Sequence, residues 1–132
     1  MFVDYRIIKR PIPNGTNGDS KYYALVKRNK EVSLRDLIEK LEIKTALTTS
    51  DIVAVLEALF KEIPQHLFEG RTVRLGDLGS FYLNLHSEGT DTEEEFTIHK
   101  IKGNSIRYRP GQGLRDKMLV VKYKKYENGE QH

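Results

Sequence analysis

The sequence predicts an α+β fold, and three observations carry that reading. Residues 33–68 place apolar side chains at helical spacing behind two separate helix-start signals. After Gly70 the apolar residues alternate with polar ones instead, up to Tyr108. The first thirty residues alternate in the same way around a loop rich in Pro, Asn and Gly. A period near 3.6 marks an amphipathic helix and a period of two a half-buried strand. The chain has 132 residues, enough for one domain with a core of its own. It is read as a single domain, 1–132, with a core over 33–118 and added strands at 1–32 and 119–132.

The elements follow in order. Val3, Tyr5 and Ile7 open a strand, Tyr23 and Leu25 its partner, and Pro11 to Asp19 connects them as a hairpin loop. Ser33, with Asp36 three residues on, is a capping-box start, and Leu34, Leu37, Ile38 and Leu41 share one face. A break over 43–47 precedes a second start at Thr48 and Asp51. From there Ile52, Val55, Leu56, Leu59, Phe60, Ile63 and Leu67 form a wide apolar stripe. Pro64 removes a backbone hydrogen bond within that stripe, so the helix is expected to kink or end there. Val73 and Leu75 make a short strand, and Gly76 and Gly79 bracket a tight turn. Phe81, Leu83 and Leu85 form the next strand. Ser87 to Glu95, with no apolar residue, is a solvent-exposed tip. Phe96, Ile98 and Ile101 are expected to restart a strand, with a bulge or turn at Gly103-Asn104 and an end near Tyr108. Pro110 suits a helix start, Leu114 and Met118 give that helix a buried side, and residues 119–126 read as a closing strand.

Charge is distributed unevenly. Residues 96–125 carry nine Lys or Arg against the single acid Asp116, whereas residues 87–95 carry five acids and no base. A basic block of this kind is an electrostatic footprint for phosphate, and a solvated surface gives the same pattern. The chain has no cysteine, which removes disulfides and thiolate metal sites. The four histidines lie in different elements without partners at metal-ligand or nucleophile spacing. Glu93, Glu94 and Glu95 are consecutive and do not converge on one ion. No catalytic residue, metal or cofactor is expected, and the reading is non-enzymatic. The chain has no apolar run of membrane-span length and no signal-peptide pattern at Met1 to Arg6, so a cytoplasmic location is expected.

Two landmarks resemble one family. The helix pair ending at Glu69-Gly70, followed by Val73-Arg74-Leu75-Gly76-Asp77-Leu78-Gly79-Ser80-Phe81, is similar to the bacterial histone-like HU/IHF proteins. In these a helical pair precedes a β-turn of the form leucine, small residue, Gly-aromatic-Gly-Thr-Phe. Tyr108-Arg109-Pro110-Gly111-Gln112-Gly113-Leu114-Arg115-Asp116 is similar to the family's Phe-Lys-Pro-Gly-Lys-x-Leu-Lys-Asp segment. The flanks resemble the strands added in extended HU-like proteins of Bacteroidetes type.

The resemblance implies an HU/IHF-like fold: a helical pair, a β-sheet with a protruding arm, and a C-terminal helix. It implies an intertwined homodimer that binds double-stranded DNA in the nucleoid through phosphates and deformability rather than base reading. By position, the backbone amides of Gly79 and Ser80 would face a phosphate. Arg109 and Arg115 match basic saddle positions, Lys100, Lys102 and Arg107 would line the returning arm strand, and Lys117 would add to them. The tip departs from the family, whose arms carry an Arg-Asn-Pro wedge. Ser87 to Glu95 has neither proline nor base, so little kinking is expected. Gln112 stands where the family has a basic residue. The competing expectation is a protein–protein interaction module that keeps the fold, has lost productive DNA binding, and meets a partner at the acidic tip.

Overall fold

The computed structural model describes residues 1–15 and 18–127. Its strands and helices run in the order β1 (Phe2–Pro11), β2 (Ser20–Val26), α1 (Leu34–Lys44), α2 (Thr49–Phe68), β3 (Val73–Arg74), β4 (Gly79–Ser87), β5 (Ile101–Pro110), α3 (Gln112–Met118) and β6 (Lys122–Lys125). Contacts divide the chain into two compact units, residues 1–31 with 117–132 and residues 32–116.

The terminal unit is a three-stranded sheet in the order β2-β1-β6. The hairpin expected over 1–30 forms, with β1 antiparallel to β2 from Tyr5↔Val26 to Pro11↔Ser20. The closing strand is shorter than the pattern suggests. Residues 119–121 lie outside β6, which pairs parallel with β1 from Phe2↔Lys122 to Tyr5↔Lys125. β1 is therefore central, with one side covered only as far as Tyr5.

In the larger unit both helices start on capping boxes. Ser33 Oγ accepts from the Asp36 amide and Asp36 returns the bond to the Ser33 amide, each at 3.1 Å. Thr48 and Asp51 do the same at 3.2 Å. These bonds favour the ionised carboxylates, so both lie below the usual aspartate pKa. For Asp36 the main cause is the Ser33 backbone bond, and for Asp51 the Thr48 side-chain bond.

Pro64, expected to kink or end the helix, does not end it: α2 continues through the proline to Phe68. Only one ladder bond is lost there. Leu67, just beyond the proline, is 3 % exposed, and its burial needs the extra turn. The helix then ends in a Schellman motif. Gly70, at φ 81°, sends its amide to the Leu67 carbonyl, and the Arg71 amide reaches the His66 carbonyl.

The second sheet has the order β3-β4-β5. Gly76–Leu78 forms a single 3-10 turn between β3 and β4. β4 and β5 pair antiparallel from Gly79↔Pro110 to Ser87↔Ile101. Two sequence expectations are corrected here. Phe96 to Lys100 is not strand, because Ile98–Lys100 forms a 3-10 turn and β5 begins at Ile101. The bulge falls one residue before the Gly103-Asn104 position. His86 pairs with Gly103 but Ser87 with Ile101, which leaves Lys102 as the extra residue. Pro110 also lies outside the helix. It ends β5, and α3 begins at Gln112 with the Arg115 amide on the Gly111 carbonyl.

Val73, Phe81, Leu83, Ile106 and Tyr108 share one face of this sheet by register, and α2 packs with β3 and β4. The Phe81 and Tyr108 rings lie 5.1 Å apart. The core so formed is thin. Among the described residues only Ile52 and Leu67 are buried hydrophobics, while Val55, Phe60, Phe68 and Leu85 are half exposed or more. Met118, expected on a buried helix side, is exposed as well.

Candidate nucleic-acid interface

The opposite face of the β3-β4-β5 sheet is where the basic residues gather. In an antiparallel pair, residues directly opposite project to the same side. Ser80 is opposite Arg74 on β3 and opposite Arg109 on β5, and Tyr82 is opposite Arg107. Arg74, Arg107 and Arg109 therefore share one face with Ser80 and Tyr82. Thr72, Arg74, Ser80, Tyr82 and Arg109 line a concavity of about 240 Å3. The Arg109 guanidinium carbon lies 5.9 Å from the Tyr82 ring centroid, so the phenol steadies it without removing its charge. Further out, Asn84 faces Ser105, and His86 Nε2 lies 3.0 Å from Ser105 Oγ. No acidic side chain falls on these pairs.

The base of the sheet is held by a glycine junction. Gly79 has φ 129°, and a Cβ there would lie 2.2 Å from the Arg109 carbonyl oxygen. A Cβ at Gly111 would lie 2.4 Å from the Asp77 carbonyl oxygen. The Leu78 carbonyl accepts from both the Tyr108 hydroxyl and the Gly111 amide. The 3-10 turn, the end of β5 and the start of α3 thus meet backbone to backbone. The register of Arg109 against Ser80 depends on that fit.

The expected site residues separate under this geometry. Ser80, Arg107 and Arg109 come together on the basic face. Gly79 does not act as a free donor toward an anion, because its amide closes the 3-10 turn on the Gly76 carbonyl. Its value is conformational. Lys100 lies in the 3-10 turn before β5 rather than on the returning strand, and Lys102 is the bulge residue. Both point to an acid, with Lys100 Nζ 3.8 Å and Lys102 Nζ 3.5 Å from Glu88 carboxylate oxygens. The arm's cations are thus partly matched by its own carboxylate. Arg115 is exposed on α3, outside the sheet face. Lys117 belongs to the terminal unit. Arg74, Tyr82 and Thr72 were not anticipated. Arg74 carried a usable signal, since it is out of phase with Val73 and Leu75 and must project away from them.

The tip has no apolar or proline surface between Ser87 and Glu95. It is folded back on itself: the Glu88 amide reaches the Lys100 carbonyl, and Thr90 Oγ1 donates to the Thr92 carbonyl at 2.7 Å. Among the described residues no group of His, Asp and Glu could hold a metal ion. No helix there is long and apolar enough to cross a membrane.

A capped helix pair leading into a glycine-turned β-arm with arginines on its outer face defines an HU-like α+β protein. The chain belongs to the family of HU domains fused to a wHTH, Ig or glycine-rich motif (HU-HIG), whose model matches residues 1–125. It is 29% identical over 92 residues to the DNA-binding protein HU of Thermus thermophilus, covering 67% of this chain and 94% of that protein. Its fold is similar, with a TM-score of 0.63 at 11% identity, to a crystal structure of a candidate bacterial DNA binding protein from Bacteroides vulgatus. The match covers 96% of this chain and 50% of that one, so the chain spans about half the length of that neighbour.

Proposed function

We propose that this protein is a non-enzymatic, histone-like architectural protein that binds double-stranded DNA as a homodimer without reading sequence. The observation that carries this reading is the clustering of Arg74, Arg107 and Arg109 around Ser80 and Tyr82 on one sheet face. Three guanidiniums on a rigid sheet suit phosphate oxygens, which position a protein on a duplex without specifying its sequence. HU family membership and the Thermus thermophilus relative support the same reading. On it the protein acts at the nucleoid in the cytoplasm and takes no cofactor.

Dimerisation is supported by the apolar surface that one chain leaves open, including Val55 at 61% and Phe60 at 50% exposure on α2. The acidic tip supports binding with little kinking. A wedge must replace base stacking with apolar surface, and Ser87 to Glu95 offers carboxylates instead. The same tip favours a second reading, an interaction module that meets a basic protein partner there. Binding to several duplexes of unrelated sequence tests the choice. Equal affinity for all of them supports the architectural reading, and no measurable affinity for any of them transfers support to the second.

A further inference from the structure

The chain's net positive charge does not come from the HU-like core. Residues 32–116 hold eleven Lys or Arg against fourteen Asp or Glu, a net −3. Residues 1–31 and 117–132 hold eleven against five, a net +6. The terminal unit, with about a third of the residues, thus carries twice the whole chain's net +3 and is where a polyanion is most strongly attracted.

Register places that charge on one side of the terminal sheet. Opposite residues share a face, so Arg6, Arg10, Lys21, Lys122 and Lys124 project together from β1, β2 and β6. Asp4 is the one acid on that face. All five cations are exposed, and none takes part in an ion pair among the described residues. Phe2 and Tyr23 stand on the same side, 66% and 42% exposed. The uncovered end of β1 adds a notch of about 730 Å3 whose charged lining residues, Arg6, Lys27, Arg28 and Lys125, are all cationic.

We propose that this sheet face is a second nucleic-acid-binding surface that grips phosphates independently of the arginine face on the arm. Cations free of ion pairs, in rows on a pleated sheet, track a phosphodiester backbone, and exposed aromatics among them, Phe2 with Lys122 Nζ 5.8 Å from its ring centroid and Tyr23, give bases a surface to stack on. The alternative occupant, an acidic protein segment such as the tip of a second copy, gains the charge but does not use Phe2 and Tyr23. This site does not depend on the arm reading, and the two are separable by experiment.

The test uses the full chain, a mixed-sequence duplex and oligo(dT), each titrated at several salt concentrations. The variant R6Q/R10Q/K21Q/K122Q/K124Q is compared with R74Q/R107Q/R109Q on the arm. Five phosphate contacts contribute about −4.5 to the log–log salt slope on duplex and roughly −3.5 on a single strand, per chain. The terminal variant is expected to lose most of that slope while the arm variant keeps it. R6K/R10K/K21R/K122R/K124R, which conserves charge, is expected to behave as the unmodified protein, separating loss of contact from loss of fold. Loss confined to oligo(dT), deepened by Phe2→Ala and Tyr23→Ala, assigns the face to unpaired strands. Equal loss on both probes assigns it to the backbone of either. An unchanged slope on both, or self-association that disappears with the terminal variant while binding stays intact, overturns the proposal. If the arm variant alone loses binding, the arm reading stands and this one falls.

Discussion

Arg74 and Arg109 flank Ser80 on the same sheet face, one on each neighbouring strand. Two inter-strand spacings put their backbones about 10 Å apart. Neither arginine is in an ion pair among the described residues, so the face carries like charges around a small hydroxyl. That arrangement is mildly unfavourable alone and is relieved by an anion seated between the two strands. By contrast, Lys100 and Lys102 farther out on the arm are matched by Glu88. Attraction is thus concentrated at the base of the arm.

The first prediction concerns the glycine junction. Gly79→Ala combines a positive φ with a 2.2 Å clash against the Arg109 carbonyl. It should cost about 2 kcal/mol or more, as strained backbone and core overpacking usually do. Gly89→Ala, with nothing within 4 Å of its would-be Cβ, should stay within about 0.5 kcal/mol of the unmodified protein. Urea denaturation of both variants measures the contrast. Equal stabilities would remove the junction from the account.

Association is the subject of the second. Val55, Leu59 and Phe60 expose 61%, 40% and 50% of their surface on α2. Burying one such side chain is worth roughly 1.5–3 kcal/mol. Sedimentation over a wide concentration range should find a dimer that dissociates only with loss of helical signal, and Val55→Asp should weaken it. A compact, stable monomer with full helicity would argue against the dimer.

Helix caps set a pH dependence. Asp36 and Asp51 are held below the usual aspartate pKa by their capping bonds. A depressed folded pKa contributes stability above the unfolded value, about 3.9, and loses it as pH falls through the folded value. Asp51→Asn should therefore narrow the stability difference between neutral and acid pH. Thr48→Ala should cost about 1 kcal/mol at neutral pH. Thermal melts at pH 7 and below pH 4 check both. An unchanged acid sensitivity in Asp51→Asn would show that other carboxylates set it.

The arm tip supplies the fourth. Glu88→Gln releases Lys100 and Lys102, and Glu93→Gln, Glu94→Gln and Glu95→Gln remove repulsion toward phosphate. Duplex binding should tighten in each case while the dimer persists. Weaker binding would mean that the tip carboxylates make favourable contacts of their own.

Much of this fold was legible in the residues. The Ser33/Asp36 and Thr48/Asp51 starts are local hydrogen-bond patterns, and local patterns survive folding. The alternation of Phe81, Leu83 and Leu85 named the core face of β4 for the same reason. What escaped was tertiary. Pro64 reads as a stop, but burial of Leu67 outweighs one missing bond. Phe96 and Ile98 read as strand, yet the bulge at Lys102 and the turn at Ile98–Lys100 end the pairing at Ile101. The partnership of Arg74 with Arg109 spans 35 positions of sequence and appears only once both strands pair with β4. Gly79 was expected to offer its amide, and the 3-10 turn had already used it.

The most direct test of the arm face is the salt dependence of duplex binding in R74Q, R109Q and the double variant. Each arginine that neutralises a phosphate should reduce the log–log salt slope by about 1 and weaken binding about equally on every sequence. The two losses should add, and Arg115→Gln should change the slope less than either. An unchanged slope in the double variant, or a loss confined to one duplex sequence, would contradict it.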